Sequence, residues 1–304
     1  MVTPRHDPRA GYVLLAMLWI CAGIGALTWL ISVSAREAMA TSRNRMSLTE
    51  GSWQAQACLA FGRERLRDAL ALSQQRPDVW LHVDRVLREN APLAGCTLSA
   101  RVVGARLDVN KTDEATLARA LQAAGLPQAR ADSAAAALAD WMDAGNETRP
   151  GGAERDWYLA QDREPPSNGP FVDRRELRRV RGLEDFARLD SVVDVEPGAL
   201  VLNVAPRELL SLLPGFTDRA IREVLDTRAR DASVATFQEL SQWLDPHEPG
   251  ASAKLPGMIL LTPEAWILTV RSRTGTPPVT TVLEVRLTHS NQTTVVTRRR
   301  SWIE

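Results

Sequence analysis

Acidic and amide side chains crowd a glycine-rich stretch near the middle of this 304-residue chain. Residues 140–147 carry two aspartates, an asparagine and a glutamate, and residues 149–156 add a Gly-Gly pair, a glutamate and an aspartate. Calcium takes about six to eight oxygen ligands from carboxylates, amides and backbone carbonyls, which an acidic turn after a helix can supply. The spacing lacks the EF-hand pattern, however. The residues alone therefore favour a solvated acidic loop with Asx turns over a calcium site.

Catalytic chemistry is not indicated. The sequence contains no Gly-x-Ser-x-Gly elbow, no phosphate-binding loop, no dinucleotide fingerprint and no His-Glu-x-x-His pair. Its four histidines are scattered, and no cysteine spacing suggests zinc. We therefore predict that the protein is not an enzyme.

Three cysteines bear on redox chemistry. Cys21 lies in an apolar segment, whereas Cys58 and Cys96 lie in the part of the chain that we expect to be exported. These two could form a disulfide in an oxidising compartment, provided that their Cα atoms lie within about 7 Å of one another.

The N-terminal segment has the length and composition of a membrane span. A leader with Arg5 and Arg9 precedes an uncharged run over residues 12–35, which Arg36 ends. At about 1.5 Å per helical residue, this run crosses a hydrocarbon layer of about 30 Å. The leader charges favour a cytoplasmic N-terminus and export of the remaining chain. A small-residue cut point precedes the apolar run, so processing there would keep the span; the alternative is an unprocessed signal anchor.

The span continues into a proline-free segment that reaches residue 76. Apolar residues in this segment predict an amphipathic helix that packs on other elements: Met39, Met46, Trp53 and Ala60 at seven-residue spacing, with Leu59, Leu66 and Leu70 beside them. Period-two patterns predict strands at 97–103, 106–109, 265–274, 280–290 and 293–299. We expect these strands to form one small antiparallel sheet that covers the helix.

The segment between the two groups of strands, residues 109–258, is rich in Ala, Leu and Arg and is mostly helical in pattern. It contains two helix–hairpin–helix-like units, with Gly125 and Gly215 at turns where a positive φ is convenient. The pattern predicts a helical domain inserted into the sheet domain.

Helix–hairpin–helix units raise a second functional hypothesis, a membrane-tethered DNA-binding protein of a DNA-uptake machine. Such units can offer backbone amides to phosphate, and Arg130, Arg219 and Arg222 lie near the two turns. However, 37 basic and 37 acidic residues give a formal net charge of zero, which argues against a surface built for nucleic acid. Protein packing is the favoured use of these units.

Four segments, in this order, resemble the K-type minor pseudopilins of the bacterial type II secretion system, also called general secretion pathway protein K. Residues 11–19 are similar to that family's prepilin start, and residues 140–159 to its acidic loop. Residues 168–182 follow in the family's order, and residues 202–210 are similar to its Asn-Val-Asn-Thr-Ala-Pro helix start. The similarity extends over nearly the whole chain.

This resemblance implies an α+β fold in which a long, pilin-like N-terminal helix packs on a small antiparallel sheet. A large, mostly helical domain with helix–hairpin–helix-like units is inserted into it. With the patterns above, it divides the chain into five parts: a prepilin leader (1–11), a transmembrane helix (12–35), the helix continuation with the first strands (36–108), the inserted domain (109–258), and the C-terminal strands (259–304).

The resemblance also implies processing and partners. A prepilin peptidase would cleave between Gly11 and Tyr12, and the new terminus at Tyr12 would be N-methylated. Ala16 stands where other pseudopilins carry Glu, as is typical of the K type, and suits a tip position. The implied partners are the I- and J-type minor pseudopilins, the peptidase, the inner-membrane secretion platform and membrane lipid, with no nucleic acid.

The implied function is that of a minor pseudopilin at the tip of the type II secretion pseudopilus, which helps to initiate its assembly for the export of folded proteins. The implied location is the bacterial inner membrane, with the bulk of the chain in the periplasm. The family further implies calcium in the inserted domain. On that ground we expect the ligands to come from the acidic loop: Asp143, Asn146, Glu147, Glu154 and Asp156.

Overall fold

The computed structural model describes residues 9–72, 79–89, 94–276, 278–290 and 293–304. Most of the predicted leader, residues 1–8, lies outside the described residues. The helices are α1 (Arg9–Leu72), α2 (Val83–Glu89), α3 (Glu114–Ala123), α4 (Gln128–Met142), α5 (Arg155–Ala160), α6 (Leu189–Val192), α7 (Arg207–Leu210), α8 (Asp218–Ala229) and α9 (Phe237–Leu244). The strands are β1 (Cys96–Val102), β2 (Leu107–Asp108), β3 (Val193–Asp194), β4 (Leu200–Val201), β5 (Ile259–Leu260), β6 (Ala265–Thr274), β7 (Val279–Ser290) and β8 (Thr293–Ile303).

Helix α1 is 64 residues long and has two unlike halves. Its apolar part, residues 12–35, is exposed throughout, and by length and composition this helix could cross a membrane. Its second half packs on the sheet through side chains at helical spacing: Ala55, Cys58, Leu59, Leu66, Ala69 and Leu70. Gly62 permits the close approach, because a Cβ there would lie 3.0 Å from Leu268 and 3.2 Å from Leu98.

Part of the predicted packing face of α1 is wrong. Leu59, Leu66 and Leu70 are buried as expected, but Met39, Met46 and Trp53 are 59%, 69% and 67% exposed, and Ala60 is exposed as well. The sheet meets α1 along the row that contains Cys58 and Leu66, so the seven-residue repeat lies on another side of the helix.

Strands β1, β6, β7 and β8 form one antiparallel sheet in the order β1-β6-β7-β8. The strand next to β1 comes from the far end of the chain, with Cys96 paired to Ser272 and Val102 to Trp266. One sheet face covers α1 with alternate side chains: Leu98, Trp266, Leu268, Val270, Leu283, Val285 and Leu287. The predicted α+β fold with a long N-terminal helix, an antiparallel sheet and a helical inserted region is confirmed.

The strand predicted at 106–109 does not join this sheet. Leu107–Asp108 instead pairs in parallel with Val193–Asp194. The chain turns away after β1 at Gly104, which has φ +91°, and a Cβ there would lie 2.2 Å from the carbonyl oxygen of Ala199. Because only glycine accepts this turn and this contact, the chain leaves the sheet here and enters the helical region.

Residues 109–258, called the insert from here on, have a hydrophobic core of their own that runs from Val109 to Leu255 and continues to Ile259. The first hairpin unit joins α3 to α4 through Gly125 (φ +102°), and the second joins α7 to α8 through Gly215 (φ +74°). In the second unit, a Cβ on Gly215 would lie 2.5 Å from Ala251, so this glycine also allows tight packing.

A row of arginines joins the sheet to the insert. Arg101 of β1, Arg286 of β7 and Arg298 of β8 occupy one line across the strands, on the face opposite to α1. Arg101 Nη1 lies 2.7 Å from Asp194 Oδ2, and Arg286 Nη1 lies 3.2 Å from Glu196 Oε2. Arg298 also contacts Glu196. The Asp194 and Glu196 side chains are only 7% and 2% exposed, so this is a buried ionic contact.

Candidate metal centre

The end of α4 places one carboxylate inside the insert. Trp141 is buried, with its ring centroid 5.3 Å from that of Tyr158 and 6.0 Å from that of Phe171. The neighbouring Asp140 is fully buried. A Cβ on Gly152 would lie 2.0 Å from Asp140 Oδ2, so the Gly-Gly turn can wrap around this carboxylate only because position 152 has no side chain.

Two further carboxylates meet Asp140. Asp143 follows α4 and Glu154 precedes α5, and one oxygen from each of the three residues lies within 4.8 Å of the others. Glu154 is 3% exposed, and neither of its carboxylate oxygens has a hydrogen-bond partner among the described residues. Burial raises the pKa of Glu154, and the charges of Asp140 and Asp143 raise it further. Among the described residues, no positively charged side chain forms an ion pair with Glu154. A bound cation would supply the missing positive charge.

Arg149 neutralises part of the cluster. Its Nη1 atom lies 2.7 Å from Asp140 Oδ1 and also contacts Asp143, and its Nε atom lies 3.6 Å from Glu114. Hydrogen bonding to Arg149 lowers the pKa of Asp143. A guanidinium group therefore already occupies one side of the cluster, while the Glu154 side has no such partner among the described residues.

The structure treats the five predicted ligands differently. Asp143 and Glu154 come together, whereas Asn146 and Glu147 are exposed beside Asp143 in an open cleft. Asp156 is exposed on α5 and is not in the three-carboxylate cluster. These positions leave the ligand assignment a prediction.

Sequence reasoning omitted Asp140 from the ligand set. The available signal was its place on a helix face that is otherwise apolar: Ala136 and Ala137 lie one turn earlier, and both are buried. A carboxylate at such a position needs a partner inside the protein.

The acidic cluster lies within a segment that matches the model of a known protein family. Residues 98–198 match the family model described as type II secretion system (T2SS), protein K. Over these residues, the resemblance to the K-type pseudopilins is confirmed. No curated protein sequence matches the chain.

The fold is also similar to that of a solved structure. The chain is similar to one in the crystal structure of the GspK-GspI-GspJ complex from the type 2 secretion system of enterotoxigenic Escherichia coli, with a TM-score of 0.60 and 15% sequence identity. The similarity covers 86% of this chain and 99% of that chain.

The two cysteines lie where α1 packs on the sheet. Cys58 lies on α1 and Cys96 begins β1; both are buried, with their Cα atoms 6.7 Å apart and their sulfurs at bonding distance. The distance condition set for a disulfide is thus met. Cys21, in the apolar half of α1, is exposed and free.

The predicted processing site lies at the start of α1. The backbone of Gly11 and Tyr12 is helical, and the Tyr12 side chain is 79% exposed. No contact from the sheet or the insert covers the apolar half of α1 within the described residues, so this end is sterically open to a membrane-embedded enzyme.

The arginines of the alternative DNA-binding hypothesis do not form a basic surface. Arg219 and Arg222 are exposed on α8, but Asp218 and Glu223 lie on the same helix beside them. Asp218 also pairs with Arg207 at the start of the same hairpin unit. Carboxylates thus alternate with the cations that would have to hold phosphate.

Proposed function

We propose that this protein is a minor pseudopilin that sits at the tip of the type II secretion pseudopilus and helps to initiate its assembly for export of folded proteins. The observation that carries the proposal is the division of α1 into a bare apolar half and a half buried under a four-stranded sheet. Such a helix can be stored in a membrane and then packed beside the helices of other subunits. The protein K match over residues 98–198, from β1 into the insert, supports the same role.

The proposed location is the bacterial inner membrane, crossed once, with the N-terminus in the cytoplasm and the bulk in the periplasm. The basic leader residues Arg5 and Arg9 support this orientation. Gly23 and Gly25 support helix packing in lipid, because a Cβ at either position would meet nothing in the chain itself, and small residues let helices approach closely.

The proposed tip position rests on size and on one missing charge. The insert covers one face of the sheet and would obstruct neighbours in a shaft of closely packed subunits. Ala16 offers no carboxylate to the terminal amine of an adjacent subunit. The proposed partners are the I- and J-type minor pseudopilins, in keeping with the composition of the similar complex. The prepilin peptidase, the secretion platform and lipid complete the proposed set.

Mass analysis of the chain's N-terminus tests this proposal. In cells with prepilin peptidase, the membrane-extracted protein should begin at Tyr12 and carry one added methyl group; without the enzyme, or with Gly11→Val, it should begin at Met1. In cells that contain the assembled secretion system, a cross-linker should give adducts of this chain with the I- and J-type partners and none between two copies of this chain. Cleavage after residue 35, or abundant adducts between two copies, would contradict the proposal.

We also propose that the acidic cluster binds Ca²⁺. Asp140, Asp143 and Glu154 supply carboxylate oxygens, and the unpartnered oxygens of Glu154 favour a cation over an empty cavity. Three carboxylates alone do not reach the oxygen count that calcium prefers, so backbone carbonyls or the nearby Asn146 and Glu147 would have to complete the shell. The role proposed for the ion is structural, holding the Gly-Gly turn against α4.

Glu154→Gln should change stability in opposite directions with and without calcium. In EGTA, the substitution should stabilise the protein, because the raised pKa of Glu154 means that ionisation of this residue disfavours folding. The cost to the wild type grows as the pH rises above about 4.3, the pKa of a glutamate in an unfolded chain. With Ca²⁺ at about 100 times the Kd, the wild type should gain about 2.7 kcal/mol, or about 5–10 °C in Tm, and Glu154→Gln should lose most of that gain.

The control for this measurement is Asp132→Asn, which alters an exposed aspartate of α4 that lies outside the predicted ligand set. Its calcium response should equal that of the wild type. A wild-type Tm that is the same in EGTA and in Ca²⁺ would retire the calcium proposal without affecting the pseudopilin proposal.

A further inference from the structure

An open cleft of about 760 Å³ lies between the sheet and the insert. On the sheet side it is lined by Arg101 of β1 and by Arg300 and Trp302 of β8. On the insert side it is lined by the 3-10 helix Arg174–Arg179 and by the segment that leads to Glu196. The cleft is separate from the acidic cluster at Asp140.

Guanidinium groups outnumber carboxylates around this cleft. Asp190, Asp194 and Glu196 are the carboxylates that form its ion pairs. These three residues share six arginines at distances of up to 3.9 Å: Arg101, Arg106, Arg174, Arg178, Arg286 and Arg298. Each carboxylate therefore already serves at least two cations.

Two more arginines line the cleft without a carboxylate of their own. Arg175 is exposed and forms no ion pair among the described residues, and Arg300 donates to the backbone carbonyl of Val172. The cleft's remaining acids are Asp173, which caps the 3-10 helix, and Glu284, which lies opposite Arg300 on the neighbouring strand. The lining thus holds five arginines and four carboxylates, and the arginine surplus grows when the residues directly behind it are included: Arg106, Arg286 and Arg298 against Asp194 alone.

Crowding also disfavours the charged state of the arginines behind the cleft. Burial lowers the pKa of Arg106, and the nearby charge of Arg174 lowers it further. Burial and the charge of Arg300 act on the pKa of Arg298 in the same way. An anion bound between the walls would relieve this repulsion.

We propose that this cleft binds an acidic segment of a second protein, presented as an extended run of carboxylates. The planar guanidinium fork matches a carboxylate with two parallel hydrogen bonds, and arginine clusters are a recurring means of recognising acidic motifs. The volume suits a short peptide segment. Trp302 and Val195 add apolar contact area to the lining, which a side chain can use and a bare inorganic anion cannot.

The chain as a whole favours a short acidic segment over a long polyanion. Its formal net charge is zero, so the excess of arginine at this cleft is balanced by acidic residues elsewhere in the chain. This inference goes beyond the proposed role in secretion and does not depend on it, because it concerns a different surface and a different kind of contact.

Peptide binding to the detergent-extracted, full-length chain tests the inference. A fluorescein-labelled hexaglutamate peptide should bind, as measured by anisotropy at about 0.05 M salt, and a hexaglutamine peptide should not. The double variant Arg175→Gln/Arg300→Gln should bind about tenfold more weakly or worse, since each arginine offers charge-assisted hydrogen bonds. Glu284→Gln, which removes a repelling carboxylate from the cleft, should bind more tightly.

Arg130→Gln is the matched control, because Arg130 is an exposed arginine on α4, away from the cleft. It should leave binding unchanged. Arg175→Gln alone should keep the wild-type Tm, so that weaker binding by this variant is not a folding defect. Equal peptide affinity in the wild type and the double variant would overturn the inference. So would full displacement of the peptide by an equal concentration of inorganic phosphate, which would indicate a site for small anions only.

Discussion

Replacing Glu196 with alanine should lower the free energy of unfolding by about 3–5 kcal/mol, because it removes a buried carboxylate from two partly buried cations. The Glu196 side chain is 2% exposed and contacts Arg286 and Arg298, which are themselves 14% and 30% exposed. Arg286 retains one bond, from Nη2 to the carbonyl of Pro197 at 2.7 Å, whereas the described contacts of Arg298 include no other carboxylate within ion-pair distance. Urea unfolding of the wild type and Glu196→Ala measures the difference.

Glu248→Gln provides the comparison on the surface. Glu248 pairs with Lys254, and both side chains are about half exposed. Glu248→Gln should lower the free energy of unfolding by less than about 1 kcal/mol, and this cost should vanish in high salt. The cost of Glu196→Ala should persist in high salt. A cost for Glu196→Ala as small as that for Glu248→Gln would show that the arginine row does not hold the insert to the sheet.

Reduction of the Cys58–Cys96 pair should lower the free energy of unfolding by about 4 kcal/mol. We propose that the two residues form a disulfide in the periplasm, where thiols are oxidised. The bond joins positions 38 residues apart, and closing a loop of that length restricts the unfolded chain by about this amount in the chain-entropy account. Urea unfolding of the extracted protein with and without a reductant measures it.

Two further observations separate this effect from general thiol chemistry. Cys21→Ser, which removes the exposed free thiol of α1, should leave the difference between reduced and oxidised protein unchanged. Alkylation of the unreduced, denatured Cys21→Ser protein should label no cysteine. Labelling of both Cys58 and Cys96 under these conditions would disprove the bond.

The regular parts of this fold could be predicted from the sequence because their patterns are local. Alternation along residues 265–290 marks β6 and β7, and the turn glycines mark both hairpin units. The side of α1 that packs on the sheet was harder to predict, because it depends on where the sheet contacts the helix. Met39 and Trp53 repeat as regularly as Leu59 and Leu66, but only the latter pair meets the sheet.

Features that join distant segments could not be predicted. The turn at Gly104 depends on Ala199, nearly a hundred residues later, so the short β2 could not be told from a sheet strand. The acidic loop could be located from its first residue, Asp140, but Asp140 was not among the predicted ligands, because its burial depends on the packing of Trp141. The arginine row needs the registers of β1, β7 and β8 together, and no single segment carries that information.

Strand β1 has a mechanical consequence. Cys96 at its start contacts Cys58 of α1, and Arg101 near its end forms an ion pair with Asp194 of the insert. With the disulfide formed, a force along α1 reaches the insert through residues 96–101 of β1, which pair with β6 over their whole length, and crosses no flexible linker. The insert and α1 should therefore move as one rigid unit, so that a displacement of the apolar end of α1 is transmitted to the insert and is not absorbed at a hinge.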